Sequence, residues 1–346
     1  MEKMQQFLDY IFYKVWCRAS VSTPYSFELF NKKYQLKNII VSFHYDDTKG
    51  GDLFNKTIEE VYKIFQTYTK KQKEEVKKWY KSNNNIEQLC INNPNMTAIT
   101  YNQLALIDLG LSEKFKNFFP KLYGKDIIGL KVIKDVIGNI DSHYEKFIEK
   151  NGEGICPFCG INDIDGNYVH TREAYDHYLP KEKYPFNSIN FKNLAPMCNK
   201  CNSSNKLRQN PILNKKSVSR KAFYPYHTHN NVDINISLTI NAIDMNKLIE
   251  SDIDVNITSI SYSEETETWK DIFYITERYQ QKCASKAHGK YWYLQIIDEC
   301  KDDAIVDILR KKYRQILSSP FADNNFLRKP FLEACEAKGL FEDRIE

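Results

Sequence analysis

Met4, Phe7, Leu8, Ile11, Phe12, Val15 and Trp16 recur at three- and four-residue spacing, which predicts a helix with one apolar face at the start of the chain. Ile58, Val61, Tyr62, Phe65 and Tyr68 repeat the pattern. A third apolar series runs from Leu104 to Phe119, and a fourth from Ile127 through Val132, Ile133, Val136, Ile137 and Ile140 to Tyr144 and Phe147. Gly152 and Gly154 then stop the helical pattern. Beyond residue 230 the period changes. Val232, Ile234, Ile236, Leu238 and Ile240 alternate with polar residues, the mark of a strand with one buried face. Val255, Ile257, Ile260 and Tyr262 predict a second strand carrying a bulge. From Trp269 helical spacing returns, and Pro320 and Pro330 punctuate a last short helix, FLEACEAKGL. These patterns predict an α+β chain in three parts: a helical platform or partner-binding region at 1–150, a site module at 151–229, and a mixed region of two strands then helices at 230–346.

Charge changes this picture only locally. The formal net charge of +4 over 346 residues identifies no partner. The run KKQKEEVKKWYK reads as a solvated helix face, because Glu74 and Glu75 interrupt it. Residues 233–346 hold 21 acidic against 15 basic side chains and are not expected to grip DNA. From Lys183 to Val232, however, there is no Asp or Glu, while Lys183, Lys192, Lys200, Lys206, Arg208, Lys215, Lys216, Arg220 and Lys221 are basic. Such a stretch is the electrostatic footprint of a protein that holds a nucleic-acid backbone without reading its sequence. No run reaches the roughly 18 apolar residues of a membrane span, and the first twenty residues lack the layout of a signal peptide. A cytoplasmic location without membrane contact is therefore expected.

Nine cysteines include two Cys-x2-Cys pairs, Cys156 with Cys159 and Cys198 with Cys201. In a reducing compartment this spacing favours one ion held by four thiolates over disulfides. Zinc accepts four sulfurs in a closed tetrahedron with no open position for water, so the metal would fold the module rather than catalyse. Pro157 and Gly160 suit a knuckle turn. Cys17, Cys90, Cys283, Cys300 and Cys335 read as ordinary buried thiols, and His170, His227 and His229 as strand or loop residues.

The 38 residues between the pairs exceed the gap of a plain zinc ribbon, and they contain the string YDHYLPKEKYPFNSINFKNLAPMCNKCNSSNK as it runs into the second pair. This string resembles the HNH, or ββα-metal, endonucleases. That resemblance implies Asp176-His177 on the first strand of a hairpin, Asn193 in its loop and Asn202 on the following helix, an H-N-N variant of the motif. It implies His177 as general base, since an unperturbed imidazole is neutral near pH 7. Asp176, on the opposite side of the strand, and Asn202 would supply oxygens to Mg²⁺ or Mn²⁺. Asn193 would hold the loop and orient the His177 ring. Lys181 and Lys206 would reach phosphates. Taken singly these residues are unremarkable, for Asn193 suits a turn and Asn202 a helix cap; their order beside both knuckles carries the resemblance.

The implied activity is hydrolysis of DNA, duplex by preference, to 5′-phosphate and 3′-hydroxyl ends. The layout is similar to HNH nucleases of bacterial anti-phage defence, the Septu type, which work with an ATPase partner. No phosphate-cradling Gly-rich loop places an ATPase in this chain itself. Two other readings stay open at this level: a non-catalytic zinc module that binds nucleic acid or protein, and an RNase sharing the same residues.

Overall fold

A computed structural model of the chain describes residues 2–45, 48–124, 127–138, 140–152, 154–166, 171–227, 232–299 and 304–341. His170, His229 and Cys300 lie outside them. The architecture is α+β, with many helices and two small antiparallel sheets of two strands each. The chain divides into two compact units. One comprises 1–150, 167–196 and 208–227, and the other 151–166, 197–207 and 228–346. The stretch 151–229, expected as one module, thus contributes to both.

The first unit contains nine helices among its described residues: α1 (Glu2–Tyr10), α2 (Tyr34–Tyr45), α3 (Lys49–Thr67), α4 (Lys70–Asn84), α5 (Ile86–Cys90), α6 (Tyr101–Ile107), α7 (Leu109–Leu122), α8 (Lys131–Ile137) and α9 (Asp141–Asn151). α1 runs on through a π-helical turn, Ile11–Val15, so the first apolar stripe does bury one face as expected. The charge run forms α4, with Thr69 and Gln72 closing a capping box and Val76 and Tyr80 turned inward.

Two expected helices are each two. The Leu104–Phe119 pattern breaks at Asp108, whose extended backbone lets its carboxylate accept from Leu111 N–H while also accepting the Tyr68 hydroxyl. The 127–147 pattern breaks at Gly138, where φ is 78°. Apolar spacing survives both breaks, which is why the sequence reads as continuous.

Strands β1 (Tyr175–His177) and β2 (Leu194–Pro196) pair antiparallel, His177 opposite Leu194 and Asp176 opposite Ala195. So short a pair is marginal alone. The connection between them, 178–193, is therefore fastened to the helices. Phe186 is fully buried at φ 81° and meets Phe12, Tyr80, Phe115 and Phe119 with ring centroids 5.1–5.8 Å apart. The buried Asn83 amide donates to Ile99 O and Pro185 O, and Asn190 donates to Asn84 O. A later segment closes over the pair: Tyr178 donates its hydroxyl to Phe223 O at 2.6 Å, and Tyr226 donates to Leu194 O.

The second unit carries β3 (Ile234–Ile240) and β4 (Ile253–Ser259), then α10 (Ser263–Phe273), α11 (Ile275–Ala284), α12 (Gly289–Glu299), α13 (Ile305–Ser318) and α14 (Asn325–Ala337). The expected bulge in the second strand is absent. Pairing is unbroken from Ile234↔Ser259 to Ile240↔Ile253, and Ile260 lies past the strand end, 97% exposed. Pro330 does not bound the last helix but sits inside α14, buried against its core. Tyr274, at φ 52°, separates α10 from α11 in a left-handed turn that apolar spacing conceals. No described helix is long and apolar enough to cross a membrane.

Phe186→Ala is expected to lower the unfolding free energy by about 3–5 kcal/mol in chemical denaturation, because it empties the centre of an aromatic cluster. Ile260→Ser, at an exposed site, should change it by less than about 0.5 kcal/mol.

Candidate active site and metal centre

In the first unit the β1–β2 pair brings together three of the expected residues. Asp176 is 4% exposed, and strand alternation turns it to the face opposite His177. Asn193 is fully buried and staples the connection: its amide donates to Leu179 O at 3.0 Å and Asn187 O at 3.3 Å, and its oxygen accepts Leu179 N–H at 2.7 Å.

The ring of His177 is oriented by another group. Its Nε2 lies 2.8 Å from the Ser188 carbonyl oxygen. A carbonyl only accepts, so Nε2 carries a proton in this contact, and in the neutral form of the ring the lone pair is on Nδ1. Tyr123 packs edge-on against this ring at 4.7 Å. Lys181 donates to Pro120 O at 3.1 Å and places its ammonium 5.5 Å from the Tyr123 ring centre. Burial holds that ammonium below the usual lysine range.

Several residues of this region carried no sequence signal. Ser188 acts through its backbone, which any residue type offers. Arg172, paired with Asp141 at 3.0 Å, lies 5.4 Å from the Tyr175 ring, two residues before His177 on the same side of β1. His143 Nδ1 is 2.6 Å from the Tyr175 hydroxyl. Asn187 is fully buried with neither amide atom hydrogen-bonded among the described residues, and the buried Ser188 hydroxyl is likewise unpartnered. Such atoms cost about 1–3 kcal/mol each. They sit beside the carbonyl that holds His177.

In the second unit the four expected cysteines converge. Their sulfurs all lie within 4.8 Å of one another, with 4.0 Å from Cys156 to Cys201 and from Cys159 to Cys198. A tetrahedral zinc with bonds of roughly 2.3 Å would place sulfurs about 3.8 Å apart. Four buried thiols at this spacing fit one soft ion such as zinc. Cys201 N–H points at the Cys198 sulfur, as a knuckle turn requires, and Cys198 N–H points across at the Cys156 sulfur of the other pair, both at 3.4 Å. Gly160, at φ 69°, completes the first knuckle by donating to Cys156 O; a Cβ there would stand 3.2 Å from Phe326.

The C-terminal helices build this centre too. Arg278 of α11, 8% exposed, donates to the Cys201 sulfur at 3.3 Å and to Asn162 Oδ1 at 2.8 Å. Tyr279 donates to Cys159 O and Trp269 to Phe158 O. Hydrogen bonds within the cluster, from Cys156 first, with help from the Arg278 charge, draw the Cys159 thiol below its usual range. A metal held by four thiolates carries two net negative charges, and Arg278 is the buried cation beside them.

Asn202 lies just beyond Cys201 in the π-helical turn Lys200–Lys206 and is partly exposed. Lys206, expected to meet a phosphate, is fully buried at the end of that turn, so its ammonium is not on an open surface. Of the nine basic residues, Arg220 is also engaged, donating to the Asn210 and Pro211 carbonyls, and the other seven are exposed. Cys17, Cys90, Cys283 and Cys335 are buried as expected, and burial pushes the Cys17 thiol up to about 12. Comparison with family models, with curated proteins and with solved structures finds no match.

One zinc per chain is expected by elemental analysis. Arg278→Met should weaken zinc about 10–100-fold in competition with a chromogenic chelator, because the buried thiolates lose their cation.

Proposed function

We propose that the chain is a metal-dependent endonuclease of HNH type that hydrolyses DNA phosphodiesters, acting as an anti-phage effector with a partner, an ATPase or another defence-system protein. The observation that carries this reading is the His177 ring, anchored through Nε2 on the Ser188 carbonyl with a buried carboxylate next to it in β1. An imidazole fixed in that tautomer presents Nδ1 as the base. The Nδ1 lone pair takes a proton from water, and the water oxygen bonds to phosphorus as the P–O3′ bond breaks. The leaving 3′-oxygen takes up a proton from solvent, giving 5′-phosphate and 3′-hydroxyl ends.

Asp176, in the first unit, is the proposed protein ligand of Mg²⁺ or Mn²⁺, and Asn202, the other expected ligand, belongs to the second unit. A carboxylate oxygen is the hard donor such ions accept. The ion would supply charge stabilisation at the phosphate. Lys181 and Arg172 are cations next to the aromatic residues Tyr123 and Tyr175 beside His177, and the exposed Lys183, Lys192, Lys215, Lys216 and Lys221 of the same unit would hold the DNA backbone. The buried position of Lys206 assigns it to structure rather than to phosphate.

The closed thiol centre is equally compatible with a binding module that makes no use of His177, and one experiment separates the two. His177→Ala should lower plasmid nicking with Mg²⁺ or Mn²⁺ by about 10²–10⁴-fold while zinc content and melting temperature stay unchanged. Equal nicking by both proteins would remove His177 as the base. Parallel RNA substrates test the choice of nucleic acid.

A further inference from the structure

The first unit also contains a cavity apart from the hairpin residues. A cleft of about 800 Å³ opens between the loop after α5, the start of α6, residues 182–184 and residues 210–219. All of its lining residues belong to one unit. Its volume suits an organic ligand rather than a bare anion.

Three properties of the wall narrow that ligand. Lys116, Lys183 and Lys215 line it against one carboxylate, Glu182, so an anionic group is favoured. Amides are unusually frequent, and Asn102 and Asn210 represent them: neutral groups that both donate and accept, as the edge of a nucleobase does. Asn210 is itself fixed by donating to the buried Tyr184 hydroxyl at 2.6 Å. Apolar side chains, Met96 and Ile212 among them, supply a surface for a flat ring.

We propose that this cleft binds a nucleoside phosphate, with the lysines on the phosphate and the amides on the base. The ligand is either a free nucleotide or a nucleotide unit of a nucleic-acid strand; the recognition chemistry is shared. The proposal does not depend on the nuclease reading, because its readout is binding.

Titration calorimetry on the full chain uses four probes: adenosine triphosphate, adenosine, tripolyphosphate and a 5′-phosphorylated dinucleotide. Saturable binding is expected for the triphosphate or the dinucleotide, with adenosine and tripolyphosphate at least about tenfold weaker. Lys183→Ala combined with Lys215→Ala, both at exposed positions, should weaken that binding about tenfold. Asn102→Ala should erode the preference for nucleotide over tripolyphosphate. A tighter triphosphate assigns a free nucleotide, and a tighter dinucleotide assigns a strand. Absence of saturable binding by both nucleotides overturns the proposal, as does equal affinity for tripolyphosphate or indifference to the lysine pair.

Discussion

The burial of Phe186 among the rings of Phe12, Tyr80, Phe115 and Phe119 is the constraint on which the first unit turns. Two strands of three residues joined by sixteen cannot hold a defined shape by pairing alone. The helical core supplies the missing rigidity by taking one aromatic side chain out of the connection and accepting a left-handed backbone to do so. Asn83 and Asn193 then satisfy the polar backbone drawn in beside it. Two residues after Phe186 stands the carbonyl that fixes the His177 ring. Core packing, loop shape and imidazole tautomer thus form one causal sequence.

The second unit follows a different logic. Its apolar cluster contains the four cysteines together with residues of β3, β4 and the C-terminal helices. The thiol centre is therefore part of a hydrophobic core and not a surface clip. Metal bound there would turn its binding energy into folding energy for the helices whose Arg278, Tyr279 and Trp269 meet the knuckles.

Legibility in the sequence tracked how local the determining physics is. The cysteine pairs could be read because knuckle geometry needs only three-residue spacing, and β3 because alternation is a property of neighbours. The hairpin strands were placed through the Asp-His string, although three residues carry no period of their own. Helix breaks at Asp108, Gly138 and Tyr274 escaped notice since the apolar stripe resumes in phase after each turn. The burial of Lys206 and of Pro330 depends on what packs around them, which spacing does not encode. Ser188 was invisible for a stronger reason: a main-chain carbonyl has no letter in the sequence. The helical region gives no sign of its part in supporting the hairpin, because that part runs chiefly through Phe186, which lies 67 residues after Phe119, the nearest in sequence of the rings it meets.

The order in which segments join the two units has a consequence for how the molecule can be divided. The chain passes between them five times, at 150/151, 166/167, 196/197, 207/208 and 227/228. Any contiguous stretch that contains one unit whole also carries segments of the other, so neither unit can be excised, expressed or exchanged alone by choosing a start and a stop. A ribosome reaches residue 227 before the first core has all its pieces, and the second core still waits for the helices that follow. Recombination by simple gene fusion would meet the same barrier: this architecture is inherited as a single piece.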